Sequence, residues 1–208
     1  MVEDELERLG RHPLVARLAR ALAERPGVVT GGREGVRRAA ILLAMRLRAD
    51  GEPELLMIKR SEFLGDPWSG HVACPGGRME PEDVDLAATA VRETREETGV
   101  DVASDGRLLG QLDEVQPYSP HLPPLVIRPY VALVRADVQL VPSREVAEAF
   151  WVPLAALRTE GAWGTGAVMV RGVERTVTVF RHGDYVVWGL TERVLRQFLA
   201  YMQAAAGS

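Results

Sequence analysis

The chain predicts one α/β or α+β unit in which strands and helices are interleaved. Three observations carry this. At 208 residues, with 47% apolar and 26% charged, it suits a single soluble domain with a sizeable core. Short apolar runs bounded by Gly, Pro and Asp recur through the middle of the chain, as buried strands do. Apolar stripes at helical spacing mark both ends and one central segment.

Residues 3 to 24 place Leu6, Leu9, Leu14, Val15, Leu18 and Leu22 at helical intervals, with His12-Pro13 as a break between two helical pieces. This is expected to be a packing appendage, so that residues 1–35 form an extension and 36–208 the main domain. Pro26-Gly27 and Thr30 to Gly35 read as a loop. A Gly-rich phosphate cradle there would need a following Lys-Ser/Thr, which is missing. Ala39 to Met45 suits a buried strand, and Asp50-Gly51 turns it into Glu54 to Arg60. Arg60 to Trp68 reads as a loop, and Ser69 to Cys74 as a short extended piece. A helix carrying Glu93, Glu96 and Glu97 follows. Leu108 to Val115 and Pro124 to Val134 are strand-like, joined by the proline-rich Pro117-Tyr118-Ser119-Pro120-His121-Leu122-Pro123. Pro142 to Phe150 reads as an acidic loop before Trp151-Val152-Pro153-Leu154. Ala167 to Val170 and Thr176 to Phe180 flank a turn. Tyr185 to Thr191 leads into a last helix striped with Val194, Leu195, Phe198, Leu199 and Met202.

The formal charge of −4 argues against a broad nucleic-acid surface. One cysteine, Cys74, excludes an intrachain disulfide and a cysteine-based zinc site. The longest apolar run is too short to span a bilayer, and no apolar signal follows the acidic start. The expectation is a cytoplasmic protein with no membrane or nucleic-acid partner, whose terminal helices offer a homodimer interface.

The chemistry concentrates in Gly76 to Val100. Glu93, Glu96 and Glu97 stand at i, i+3 and i+4, which puts three carboxylates on one helix face. Such crowding repels unless a cation sits among them. Mg²⁺ or Mn²⁺ suits the oxygen donors, and Gly76-Gly77 would let backbone approach the same ion. The plainer alternative is a solvated helix in which Arg92 and Arg95 pair with the glutamates.

This segment resembles the Nudix box, Gly-x5-Glu-x7-Arg-Glu-U-x-Glu-Glu-x-Gly-U, where U is bulky and apolar. Arg92 to Val100 matches the second half, with Thr94 at the apolar position. Gly77 to Arg92 is one position longer than the general box. The first box glutamate must therefore come from Glu80, Glu82, Asp83 or Asp85, or be absent. The resemblance implies a Nudix-type α/β/α sandwich with a mixed sheet and a catalytic loop-helix-loop. It also implies Mg²⁺- or Mn²⁺-dependent hydrolysis of a diphosphate linkage. In that reading Glu96, Glu97, Glu93 and Gly77 hold metal, Glu93 alternatively accepts a proton, and Arg92 orients Glu96. Glu145 is the first candidate for a distal carboxylate, Glu148 the second and Glu114 the third. Arg60 and Arg78 are candidates to meet the diphosphate of a nucleotide-type small molecule, and Trp68, Phe63 and Tyr118 to stack on a base.

Within the superfamily, Leu56-Met57-Ile58-Lys59-Arg60-Ser61 and Gly70 to Gly77 are similar to the upstream signature of coenzyme A pyrophosphatases. The longer box, with Glu80, Asp83 and Thr89-Ala90-Val91-Arg92-Glu93, points the same way. Departures at Met57, Ile58, His71 and Cys74 leave other linked nucleoside diphosphates open. A Nudix-fold module that binds a nucleotide without cleaving it is the reading from another class.

Overall fold

The computed structural model describes residues 2–30, 35–63, 68–117, 124–170 and 172–204. Tyr118 and residues 119–123 of the proline-rich connection lie outside them, as do residues 31–34 of the glycine-rich loop. Strand β1 (Arg37–Leu47) is the centre of a seven-stranded mixed sheet. It runs parallel to β6 (Leu125–Val134), from Arg37 opposite Leu125 to Met45 opposite Leu133. Its consecutive apolar residues follow from burial on both faces.

The other edge of β1 has two partners. Antiparallel β2 (Pro53–Arg60) meets it only at Met45 to Leu47. Further along, β4 (Gly76–Arg78) meets it at Ala39 to Ile41. β2 meanwhile pairs with the two-residue β3 (Val72–Ala73) through Ile58 and Lys59. β1 and β2 therefore diverge, and the segment from Val72 to Arg78 fills the gap, held also by the Leu42 amide donating to Pro75 O at 2.9 Å. The glycine pair reaches the middle of the sheet in this way. Outer strands β5 (Gly106–Gln111) and β7 (Val146–Pro153) pair with β6 and β2.

Side chains alternate across the sheet. Ala40, Leu42 and Ala44 face a layer made by α3 (Leu86–Thr98) and the short α4 (Val102–Asp105), with Leu86, Ala90 and Val102 in the same core. Ala39, Leu43, Met45 and Leu47 face the opposite layer. That layer holds α1 (Val2–Arg11), α2 (Pro13–Glu24), α5 (Leu154–Leu157) and α6 (Gly189–Ala204). The result is an α/β/α sandwich. A three-stranded antiparallel sheet of β8 (Trp163–Val170), β9 (Val173–His182) and β10 (Tyr185–Trp188) extends it.

Four sequence expectations shift. The N-terminal helices are more than an appendage: Leu9, Val15, Leu18 and Leu22 are buried in one core with Phe198, Tyr201 and Met202. The strand expected to reach Val115 stops at Gln111, and Val115 keeps only an isolated bridge to Ile127. Asp113 and Glu114 turn back there to hold the stretch after α2, accepting from the Val28 amide at 2.8 Å and the Thr30 amide at 2.7 Å. The acidic loop is already strand from Val146, because pairing with β2 outweighs its charged pattern. β8 begins at Trp163, where Gly164 and Gly166 weakened the strand signal. Among the described residues no helix is long and apolar enough to cross a membrane.

Candidate active site

The helix α3 is fixed at both ends and along its buried side. Asp85 caps it, its side chain accepting from the Ala88 amide at 2.8 Å. Gly99 closes it in the left-handed conformation, φ 77°. Thr89, Thr94 and Thr98 are fully buried, and each hydroxyl finds an acceptor: Asp83, Ala90 O and Thr94 O. Thr94 can therefore stand where an apolar residue is expected.

The three glutamates differ in setting. The Glu97 side chain is only 7% exposed, and its Oε2 accepts from the Gly76 amide at 2.8 Å while Oε1 lies 3.8 Å from an Arg60 nitrogen. Burial pushes its carboxyl up to about 7, against the Gly76 hydrogen bond, with Glu93 and Glu145 adding repulsion. Glu93 rests on Gly77 so closely that a β-carbon there would come within 2.4 Å of the Glu93 carboxyl carbon. Burial raises this carboxyl too, Arg92 opposes the rise, and Glu96 and Glu80 reinforce it. Glu96 is 57% exposed and accepts from Arg92 at 3.1 Å.

Arg92 organises the cluster. Its Nε and Nη2 donate to the two oxygens of Asp83, each at 2.9 Å, and Nη2 also reaches Arg78 O at 3.1 Å. Nη1 then donates to Glu93 and Glu96, both at 3.1 Å. Asp83 also accepts from the Thr89 hydroxyl and the Glu80 amide, and its bonds to Arg92 hold its carboxyl far below the usual range. This narrows the search for the first box glutamate. Asp83 is committed to Arg92 and Asp85 to the helix cap. Glu80 and Glu82 are both exposed, and Glu80 acts on Glu93 by charge. Sequence reasoning missed the Asp83–Arg92 fork and the Gly76 amide. The signal for the first was an aspartate nine residues before the arginine.

The distal carboxylates separate as well. Glu148 accepts from the Tyr185 hydroxyl at 2.6 Å. Glu114 is nearly inaccessible, holding Arg128 at 2.6 Å and both the amide and hydroxyl of Thr30 at 2.7 Å. Glu145 is exposed and repels Glu97. Its segment is anchored to both walls, Ser143 N donating to Glu97 O at 3.0 Å and Ser61 N to Glu145 O at 2.9 Å. Arg60 faces Glu97. Arg78, paired with Ala39 while Gly77 pairs with Ala40, projects to the sheet face away from Glu93 and meets the cluster only through its backbone. Phe63 is 47% exposed, and His71 packs against Trp188 with ring centroids 4.5 Å apart. Cys74 is buried, which pushes its thiol up to about 12 and rules it out as a nucleophile at neutral pH.

Among the described residues no three acidic, histidine or cysteine side chains stand ready in a metal-ligand cluster; Arg92 draws Glu93 and Glu96 to itself. The donors nevertheless fit a hard divalent ion. A buried carboxylate, Glu97, and a partly buried one, Glu93, repel each other beside a glycine whose missing β-carbon leaves their approach open.

A strand-to-helix turn carrying buried glutamates on an α/β/α sandwich defines a class of phosphate-processing hydrolases, and the comparisons make it specific. Residues 36–171 match the NUDIX domain. The chain is 32% identical over 161 residues to the Uncharacterized Nudix hydrolase NudL of Yersinia pestis (strain Pestoides F), spanning 77% of each chain. The values are the same for the NudL of Yersinia pseudotuberculosis serotype O:1b. The solved MutT/nudix family protein of Enterococcus faecalis superposes with a TM-score of 0.55 at 17% identity, over 99% of this chain and 79% of that one, and so shares the fold. The chain belongs to the Nudix family, and as a Nudix hydrolase it is a pyrophosphohydrolase.

Proposed function

We propose that the protein hydrolyses the diphosphate linkage of a nucleoside diphosphate joined to a second moiety, with coenzyme A or a related derivative as the favoured substrate. The observation that carries this is the packing of Glu93 and Glu97 against the Gly76-Gly77 backbone, a partly buried and a buried carboxylate held beside glycines. Glu93, Glu96, Glu97 and the Gly77 carbonyl would hold Mg²⁺ or Mn²⁺. When bound, the ion neutralises phosphate oxygens and lowers the pKa of the attacking water.

The chain supplies the rest. Arg92 keeps Glu93 and Glu96 in register and offsets their repulsion. Arg60, beside Glu97, offers a cation to the diphosphate. Glu145, exposed and on the Glu97 side, is the proton acceptor favoured by its position, with Glu93 the alternative. The coenzyme A preference rests on the upstream motif and the lengthened box.

Mg²⁺-dependent turnover of coenzyme A, ADP-ribose, dinucleoside polyphosphates, NADH and nucleoside triphosphates, with product masses in ¹⁸O-water, tests the reading and identifies the phosphorus attacked. Tight nucleotide binding with no turnover of any of these would favour a binding module instead.

A further inference from the structure

The layer on the sheet face away from α3 holds an open cavity of about 320 Å³, lined by Leu157, Arg158, Trp163, Arg196, Leu199 and Gln203. The end of α5, the start of β8 and the second half of α6 frame it. None of these residues belongs to the hydrolytic centre. The volume falls at the lower end of the roughly 300–1,000 Å³ that small-molecule sites occupy.

The cationic side of the cavity is set in place from behind. The deeply buried Glu192 accepts from Nε of Arg196, and the guanidinium lies over the Trp163 ring, 4.6 Å from its centroid. Trp163 is itself fixed: its indole Nε1 donates to Leu157 O at 2.8 Å, and its ring packs on the fully buried Phe180 with centroids 4.9 Å apart. Arg196 is thus held at one edge and over one face. Its terminal amino groups, Nη1 and Nη2, make no hydrogen bond among the described residues. Two such amino groups are the fork with which a guanidinium takes a carboxylate. Arg158, just past α5, brings a second guanidinium with no ion pair among the described residues, and Gln203 brings an amide. Two of the lining side chains are cationic and none is acidic.

The remaining lining is apolar. Half-buried Leu199 and Trp163 make the walls, and fully buried Leu157 the floor. Because Phe180 and Arg196 already pack on the Trp163 ring, the cavity offers a ligand aliphatic surface more than an aromatic face. A bare inorganic anion would meet the arginines and leave that surface wet, whereas a carboxylate on a short alkyl body satisfies both parts. We infer that this cavity is a binding site for a small aliphatic carboxylate, separate from the site of hydrolysis.

Hexanoate is the probe, followed through the Trp163 indole N–H of the ¹⁵N-labelled full chain. The chain has four tryptophans, and Trp163→Phe identifies the signal. Binding at the glutamates does not register there. Hexanoate is expected to move the signal to saturation, with an affinity at least about tenfold above those of hexanamide, its neutral analogue, and of inorganic phosphate. Arg158→Ala, and Gln203→Glu, which sets a negative charge at the rim, should each weaken hexanoate by about fivefold or more. Neither touches the buried Glu192–Arg196 pair, so both variants should melt within about 2 °C of wild type. Equal affinity for hexanoate and hexanamide, or an effect confined to the other indoles, overturns the anion site. Phosphate bound as tightly as hexanoate overturns the aliphatic ligand class, and hexanoate affinity unchanged in both variants overturns the assignment to this cavity.

Discussion

Arg92 and Asp83 meet edge to edge, Nε to Oδ1 and Nη2 to Oδ2, each at 2.9 Å. The side of the guanidinium left over is the side that holds Glu93 and Glu96. Asp83 thus acts on the glutamates through an arginine, and it is a positioning residue. Asp83→Asn keeps the shape but gives up the charge and one acceptor. It is expected to lower kcat by about tenfold or more with KM within about twofold, and to cost about 1–2 kcal/mol of stability, because a partly buried arginine loses its counter-charge. Wild-type kcat in a folded Asp83→Asn variant would show that the fork does not position the cluster.

Glu97→Gln tests the ligand assignment. The amide oxygen can still accept from the Gly76 amide, so the loop stays in place while the negative charge goes. Activity should fall by about a hundredfold or more, with the far-ultraviolet spectrum unchanged. Turnover near the wild-type level would sink the metal role of Glu97.

Metal-free stability should fall as pH rises through the neutral range. Burial sets the folded Glu97 carboxyl at about 7 against an ordinary 4.5. Between those values the folded state binds the proton that the unfolded state has released. By linkage, stability declines from about pH 4.5 to pH 7, by about 3 kcal/mol at most. Asp83 has the opposite sign: its depressed carboxyl gives stability that is present above the ordinary carboxylate range and lost at lower pH. Melting curves in chelator should show a maximum in mildly acid buffer, and millimolar Mg²⁺ should remove the decline towards neutrality. A metal-free Tm that rises from pH 5 to 8 would contradict the buried, repelled state of Glu97.

The site was legible wherever side-chain spacing along one helix defines it. The helical period puts Glu93, Glu96 and Glu97 on one face, and it took the resemblance to the Nudix box to single them out, with Gly76-Gly77, from a solvated helix. The strands of the central sheet were legible because β1 and β2 are buried apolar runs. What the linear pattern hid depends on the third dimension. The divergence of β1 from β2 places Gly77 under Glu93, and nothing in either strand marks where they separate. Asp83, Asp85, Glu80 and Glu82 look alike in sequence, and they are distinguished only by which of them a helix cap or Arg92 claims. Glu114 read as an available carboxylate until Arg128 and Thr30 enclosed it. The N-terminal helices have ordinary apolar stripes, and only contact with α6 shows that they close one face of the core.

Two glycines make the separation of site from scaffold testable. A β-carbon on Gly77 would meet the Glu93 carboxylate at 2.4 Å, the mobile end of a side chain that can swing aside. On Gly27 it would meet the Leu112 carbonyl oxygen at 2.1 Å and its carbon at 2.2 Å, backbone that belongs to the stitched stretch between α2 and the sheet. Gly27 is also bonded there through its amide to Gln111 O at 3.2 Å. Gly77→Ala should therefore leave the Tm within about 2 °C while reducing kcat by about tenfold or more, because Glu93 is displaced from the backbone it rests on. Gly27→Ala should lower the Tm by several degrees, since fixed backbone on both sides must move. At a temperature where that variant is still folded, its kcat should stay within about twofold of wild type. Parallel melting curves and Mg²⁺-dependent assays decide it: a Gly77→Ala variant that unfolds early but retains full kcat when folded would place Gly77 in the scaffold and remove it from the site.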